Sequence, residues 1–253
     1  MAEPREYAPG TPSWVDLGTP DLDAARAFYG SLFGWEIVDQ GEEAGHYSMC
    51  MLRGLPVAGM GPQMNPGPPH WTTYVSVADA DAAVGKVKDA GGTVFMDPMD
   101  VMDVGRMAIF ADTEGAVAAV WQPRAHKGAG IVNEPGSLCW NELASRNTAA
   151  AKQFYGAVFG WGANTSPGPP MEYTEWMLGD AAIGGMMEMG PHMPRDIPPH
   201  WLAYFAVADC DASAAQIKEQ GGAVHAGPID IPAGRFAAGA DPQGASFGVI
   251  ALS

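Results

Sequence analysis

The sequence predicts an α+β protein made of one unit, strand–helix–strand–strand–strand, used four times in two similar domains. Three observations predict it. The first is a tandem duplication: Phe28-Tyr29-Gly30-Ser31-Leu32-Phe33-Gly34-Trp35 returns as Phe154-Tyr155-Gly156-Ala157-Val158-Phe159-Gly160-Trp161, 126 positions on (154 − 28). Pro69-His70-Trp71 is echoed by Pro199-His200-Trp201, Gly91-Gly92 by Gly221-Gly222, Gly105-Arg106 by Gly234-Arg235, and Asp112-Thr113-Glu114-Gly115 by Asp241-Pro242-Gln243-Gly244. The offset drifts only to 130 (200 − 70), so a whole domain has been copied rather than a short solenoid repeat. The second observation is that each copy divides again into two similar modules. The third is that runs of strands are each led by one helix, which argues against a doubly wound sheet.

The elements of the first copy follow in order. Ser13–Leu17 reads as a strand, and Thr19-Pro20 as an N-cap with proline at the first helical position. Leu22, Ala25, Phe28, Tyr29, Leu32 and Phe33 have helical spacing, and Gly34 ends the helix. Strands are expected near Glu36–Val38, Tyr47–Leu52 and Pro56–Gly61. After the Pro- and Gly-rich joint 63–69, a strand Trp71–Val77 leads into a helix Asp79–Ala90 that stops at Gly91-Gly92. Strands follow near Thr93–Met96, Arg106–Ala111 and Ala116–Gln122. The expected domains are 11–124 (modules 11–65 and 69–124) and 137–252 (modules 137–190 and 199–252), with 125–136 as the linker.

Composition narrows the function classes. The chain has 253 residues and is 47% apolar, enough for an ordinary core in each copy. A formal charge of −16 without a basic run makes nucleic acid and anionic membranes poor partners. No stretch of about 18 apolar residues occurs, and the N-terminal segment has no apolar leader core. Cys50, Cys139 and Cys210 show no CxxC spacing and read as free thiols, so a cytoplasmic location is expected. Fifteen Met and eight Trp suit an apolar ligand as well as a core.

A chain of βαβββ modules with F-Y-x-x-x-x-G-W closing a helix, a G-G turn and a D-P-x-G hairpin before the last strand resembles the vicinal oxygen chelate superfamily. That superfamily groups glyoxalase I, extradiol dioxygenases, fosfomycin-resistance enzymes and bleomycin-type antibiotic-binding proteins. The resemblance covers roughly residues 11–252. It implies two similar glyoxalase/bleomycin-resistance-like domains with cupped mixed sheets, and dimers are common among members of the fold, so a homodimer is expected from resemblance. It identifies the fold better than the activity, because the fold hosts several chemistries.

The resemblance also implies where a metal would be held: mid-strand in the first strand of a module and about four residues after the D-P-x-G glycine. Those positions here are Trp14, Trp140, Thr72, Leu202, Ala119 and Gly248, with Gly59-Met60 and Gly185-Met186 at the remaining place. None is a strong donor for a divalent cation. The expectation is therefore no metal and no other cofactor.

Alternation along strands then gives the face that replaces the metal site. It carries Trp14, Asp16, His70, Thr72, Tyr74, Val117, Ala119 and Trp121 in the first domain. In the second it carries Trp140, Glu142, His200, Leu202, Tyr204, Ser246, Gly248 and Ile250, with Met60 and Met186 at the edges. Such a lining suits a hydrophobic, aromatic small molecule held by Trp14, Asp16, Met60, His70, Thr72, Tyr74, Trp121, Trp140, Glu142, Met186, His200, Leu202 and Tyr204. The expected function is metal-independent binding for sequestration, self-resistance or biosynthetic assistance. The alternative is a glyoxalase-like lyase, isomerase or hydroxylase with Asp16, Glu142, His70 and His200 as acid–base groups. Arg106 and Arg235 read as salt-bridge partners of the surplus acid.

Overall fold

The structure, a computed structural model, describes residues 6–63, 67–167, 172–191 and 193–253. The joint expected at 63–69 falls partly outside the described residues. Module 1 runs β1 (Pro12–Thr19), α1 (Leu22–Phe33), β2 (Glu36–Asp39), β3 (Ser48–Leu52), β4 (Leu55–Pro62). Module 2 runs β5 (His70–Ser76), α2 (Ala80–Asp89), β6 (Thr93–Val101), β7 (Gly105–Ala111), β8 (Val117–Pro123). Module 3 runs β9 (Leu138–Ser145), α3 (Thr148–Phe159), β10 (Gly162–Ser166), β11 (Tyr173–Leu178), β12 (Ala181–Glu188). Module 4 runs β13 (His200–Ala206), α4 (Cys210–Glu219), β14 (Ala223–Ile231), β15 (Gly234–Ala240), β16 (Ser246–Leu252). The α+β class and the four βαβββ modules are as the repeat predicts.

Two eight-stranded mixed sheets result, in the orders β2-β3-β4-β1-β5-β8-β7-β6 and β10-β11-β12-β9-β13-β16-β15-β14. In every module the first strand pairs in parallel with the last, as Asp16 with Gly59 and Tyr74 with Ala119 show. Within each module the other pairs are antiparallel hairpins, and β1 beside β5 and β9 beside β13 join the modules of each sheet.

One helix start differs from expectation. The N-cap of α1 is Asp21, whose carboxylate accepts from the Ala24 amide, whereas Thr19 ends β1. Asp79 and Asp209 cap α2 and α4 in the same way, and Asn147 caps α3. A carboxylate two residues past the strand reaches the orphan amides of the first turn better than the Thr19 hydroxyl does. Gly34 and Gly160 close α1 and α3 at φ 70° and 74°, a left-handed conformation that costs other residues a steric penalty.

The chain packs as two compact units, each discontinuous in sequence. One holds residues 14–72, 129–140 and 202–253, thus modules 1 and 4. Its core sets Phe28, Tyr29, Phe33, Trp35 and Trp71 against Phe205 and Phe247. The Trp71 indole N–H donates to the Tyr29 hydroxyl (3.0 Å), which donates to Asp241 (3.1 Å). The other oxygen of Asp241 accepts the amides of Gln243 and Ala245, fixing the turn before β16. Trp35 donates to the Gly136 carbonyl at 2.6 Å. The repeated words of the sequence, F-Y…G-W, H-W and D-P-x-G, are therefore parts of one buried network.

The second unit holds the described residues of 6–13, 73–128 and 141–201, thus modules 2 and 3. It repeats the network: Trp201 donates to Tyr155 (2.9 Å), Tyr155 to Asp112 (3.1 Å), and Trp161 to the Gly10 carbonyl (2.7 Å). Burial pushes the Tyr29 and Tyr155 hydroxyls well above the usual phenol range and raises the Asp112 carboxyl. Arg106 grips Asp81 with two nitrogens and reaches Asp100; Arg235 treats Asp211 and Asp230 identically. Both arginines are salt-bridge partners that tie a helix start to a strand hairpin. No helix among the described residues is long and apolar enough to cross a membrane.

Removing either phenol oxygen leaves a buried carboxylate and an indole N–H without their shared partner. Tyr29→Phe and Tyr155→Phe are each expected to cost about 1–3 kcal/mol, read as a lower urea midpoint. A midpoint unchanged within error for both would show that the network contributes nothing net.

Candidate functional site

The candidate site lies on the sheet faces turned away from the helices. Val15 and Leu17 of β1 enter the helix-side core, so Trp14 and Asp16 occupy the opposite face, where Trp14 is buried and Asp16 half-buried. Alternation places Glu142 likewise, because its neighbour Leu143 is in the core under α3.

In the unit of modules 1 and 4, strand register builds the row Asp16–Gly59–Met49–Val38 across the open face of module 1. Tyr47, just before β3, lies over this row. A Cβ at Gly59 would overlap its hydroxyl, so the glycine makes room for the ring. The Trp14 indole donates to Tyr47 (3.1 Å), and Tyr47 donates to Asp16 at a longer 3.4 Å. Half-buried and facing a carboxylate, the Tyr47 hydroxyl is raised well above the usual phenol range, by desolvation first and by Asp16 second. In module 4 the rows Tyr204–Gly248–Ala238 and Ile250–Phe236–Ile229 make an apolar wall. Tyr204 occupies the space a Cβ at Gly248 would need and meets Phe236 edge-on. Leu202 is half-buried two residues before Tyr204, and Ser246 at the start of β16 is exposed while Gly248 and Ile250 on the same side are buried. Cys139, next to the half-buried Trp140, donates to the Tyr204 carbonyl, and burial pushes its thiol up to about 12.

In the unit of modules 2 and 3, the second carboxylate has the same kind of partner. Tyr173 donates to Glu142 at 2.8 Å. The row here is Glu142–Gly185–Glu175–Asn164, so Glu175 stands where module 1 has Met49. Asn164 donates to Glu175 at 3.1 Å. Module 2 supplies the rows Tyr74–Ala119–Ile109 and Ser76–Trp121–Met107–Met99. Val117 starts the same strand, half-buried. Tyr74 and Trp121 meet edge-on at 6.4 Å, and the Trp121 indole donates to the His126 carbonyl. On the helix side of this unit a groove of about 340 Å³ is lined by Ala90, Thr113, Ala150, Gln153, Phe154 and Ala157, none of them ionisable.

Several expected site residues stand elsewhere. Met60 and Met186, expected at the edge of the open face, are fully buried in the two helix-side cores. Asp16 pairs with Gly59 and Glu142 with Gly185, so the methionines one residue on point to the other face. His70 and His200 sit at strand entrances, and each ring is held by a proline carbonyl two residues back, at 3.1 and 2.9 Å. Thr72 is buried. Tyr47 and Tyr173, which strand-by-strand reading leaves out, donate to the carboxylates. Their signal was present: the two tyrosines are related by the same 126-residue offset as the octets (173 − 47).

The donor chemistry does not fit a metal at the places the fold would offer. An indole N–H donates and cannot ligate, Ala119 and Gly248 bring no donor, and Tyr47 covers Gly59. Among the described residues no three His, Cys, Asp or Glu side chains gather closely enough to hold an ion.

Comparison with known proteins agrees with this architecture. The family model of the Glyoxalase/Bleomycin resistance protein/Dioxygenase superfamily matches twice, at residues 11–120 and 137–249. The chain is 46% identical over 259 residues to the "Putative glyoxylase CFP32" of Mycobacterium tuberculosis, covering 99% of this chain and 98% of that protein. It is 39% identical over 264 residues to the "Anthracycline biosynthesis protein DnrV" of Streptomyces peucetius, covering 97% and 94%. In structure it resembles the Mn(II)-bound glyoxalase from Novosphingobium aromaticivorans, with a TM-score of 0.69, 20% identity and coverage of 97% and 83%. A catechol 2,3-dioxygenase structure gives a TM-score of 0.63 at 14% identity, covering 98% and 94%.

Trp121 is held through the backbone of His126, whose buried ring has its pKa lowered to about 4 by desolvation. Between about 6.5, the unfolded value, and 4 the unfolded chain binds more protons there, so stability falls as pH drops through that window. The loss approaches about 3 kcal/mol at about 1.4 kcal/mol per unit. Urea titrations from pH 7 to 4 are expected to show this slope, and His126→Gln to flatten it; an equal slope in the variant would refute the assignment.

Proposed function

The chain belongs to the glyoxalase/bleomycin resistance protein/dioxygenase superfamily, and within it we propose a metal-independent binding protein for a hydrophobic, aromatic small molecule. Its role would be sequestration, self-resistance or assistance to a biosynthetic step. The observation that carries this reading is the exchange of ligand positions for an indole, a methyl group and glycines, on sheet faces that carry the buried aromatics Trp14, Tyr74, Trp121 and Tyr204 and the half-buried Phe236. Flat aromatic and thioether surfaces with a few fixed polar groups suit a polycyclic ligand. Similarity to a protein named for anthracycline biosynthesis supports an aromatic ligand. Free cysteines support a reducing, cytoplasmic setting.

A second reading, an acid–base lyase, isomerase or hydroxylase, is favoured by one observation: each sheet presents a carboxylate bonded to a phenol, Asp16 with Tyr47 and Glu142 with Tyr173. Similarity to a glyoxylase-named relative supports it. In that reading Asp16 and Glu142 exchange the proton, and the phenols take the place expected for His70 and His200.

Titration of the protein as isolated with polycyclic aromatic compounds, followed by tryptophan quenching, is expected to give micromolar dissociation constants. Nothing tighter than millimolar across such a set would sink the binding role. Metal analysis is expected to find no stoichiometric manganese, nickel, zinc or iron; one equivalent per chain would overturn metal independence. Turnover of a small carbonyl compound lost in Asp16→Asn with Glu142→Gln, at unchanged stability, would decide for the enzyme.

A further inference from the structure

We infer that the helix-side faces of modules 1 and 2 fit modules 3 and 4 of the same chain and reject a second copy of themselves. The selecting contacts are Thr73 with Asn141 in one unit and Ser31 with Gln216 and Gln220 in the other. A duplicated chain faces this choice because its halves are alike. Module 1 packs on module 4 here, yet module 2 of another chain has the same elements to offer it. The Trp–Tyr–Asp network does not decide between them. Tyr29 would find Asp112 of a second copy where it now finds Asp241. The turn residues Glu114 and Gln243 are equally tolerant, since each accepts from a hydroxyl, that of Ser145 or of Thr19. Selection has to come from places where the two units differ.

Two such places exist. On the helix side of β5, the buried Thr73 hydroxyl donates to the side-chain carbonyl of buried Asn141 on β9 at 2.8 Å. The equivalent positions in the other unit are Ala203 (73 + 130) and Val15 (141 − 126), both in its apolar core. Between α1 and α4, Gln216 donates to the carbonyl and hydroxyl oxygens of Ser31 at 3.2 and 3.3 Å, and Gln220 to the same hydroxyl at 3.2 Å. The equivalents on α3 and after α2 are Ala157 (31 + 126) and Ala90 (220 − 130), which line a groove of about 340 Å³ instead of bonding. Each half supplies one side of each contact. Modules 1 and 2 bring Ser31 and Thr73, and modules 3 and 4 bring Asn141, Gln216 and Gln220. Pairing like with like breaks both contacts. Thr73 would face Val15, and Asn141 would face Ala203, so a hydroxyl and an amide would be buried without partners. That costs more than the hydrogen bond itself contributes. The glutamine contacts are exposed and add less. Pairing of unlike halves gives every molecule one face with Asp16 and one with Glu142, where like halves would give two identical faces.

The test uses the full chain. The wild type and a variant with Ser31→Ala, Thr73→Ala and Asn141→Val are unfolded in urea and refolded at rising protein concentration. The products are sized by gel filtration with light scattering. The wild type is expected to give one mass at every concentration. Tethering favours pairing within a chain without forbidding the alternative. The variant is therefore expected to add a species of twice that mass, about tenfold or more abundant than in the wild type at the highest concentration. A product distribution equal to that of the wild type overturns the inference, and so does a doubled species in the wild type that grows with concentration. Urea midpoints read the buried contact directly. Thr73→Ala and Asn141→Val are each expected to lower the midpoint, and together to lower it by less than the sum, because both orphaned groups leave at once. An additive loss overturns the selecting role of this pair. Failure of the paired variant to fold, where either single variant folds, overturns it too. Thr73→Ser keeps the hydroxyl and is expected to refold to the single wild-type mass; a doubled species there counts against the inference.

Discussion

In each compact unit a tyrosine hydroxyl given to an aspartate carboxylate under a tryptophan indole joins segments far apart in the chain. Tyr29 reaches Asp241 across more than two hundred residues of sequence, and Tyr155 reaches Asp112. The cost of burying a carboxylate is offset only when its lone pairs are filled. Tyrosine fills one oxygen, and two turn amides fill the other. The turn therefore forms against the helix of a different module. This explains why the same three words recur in both copies: each word alone buries an unsatisfied group, and together they leave none.

Fixing the helices in this way fixes what the sheets show. With the core drawn to one face by Phe28, Phe33, Phe154 and their neighbours, every second residue of a strand is committed to that face. Trp14, Asp16 and Glu142 are left on the other face by parity alone. That is why strand alternation sufficed to place them from sequence. Parity also explains the failure at Met60 and Met186. The edge position could be narrowed only to a Gly-Met pair, and a choice between adjacent residues in a strand is a choice between faces. The register gives the open face to the glycines, which leaves space for the Tyr47 ring in module 1.

Other features were legible for different reasons. Four modules could be read because hydrophobic periodicity changes from helical to alternating at glycines and prolines, signals that survive duplication. The start of α1 was misplaced because Thr-Pro and Pro-Asp both resemble helix entries. Side-chain reach decides between them, and Asp21 reaches the Ala24 amide. Tyr47 and Tyr173 escaped because the face was read from the first and last strands of the modules; Tyr47 precedes β3 and Tyr173 begins β11, both middle strands. A comparison of the copies position by position finds them, since tyrosine persists where the preceding residues differ, Gly45-His46 against Met171-Glu172.

The duplication separates what the scaffold demands from what the open face demands. The Trp–Tyr–Asp network is kept residue for residue, because a core contact of fixed geometry tolerates no change of length. On the open face the carboxylate changes from Asp16 to Glu142, and Met49 gives way to Glu175, yet a tyrosine still donates to the carboxylate. Packing alone does not require that pairing, since the two side chains differ in length and in neighbours. What has been retained is a polarity, a carboxylate held by a phenol, rather than a shape.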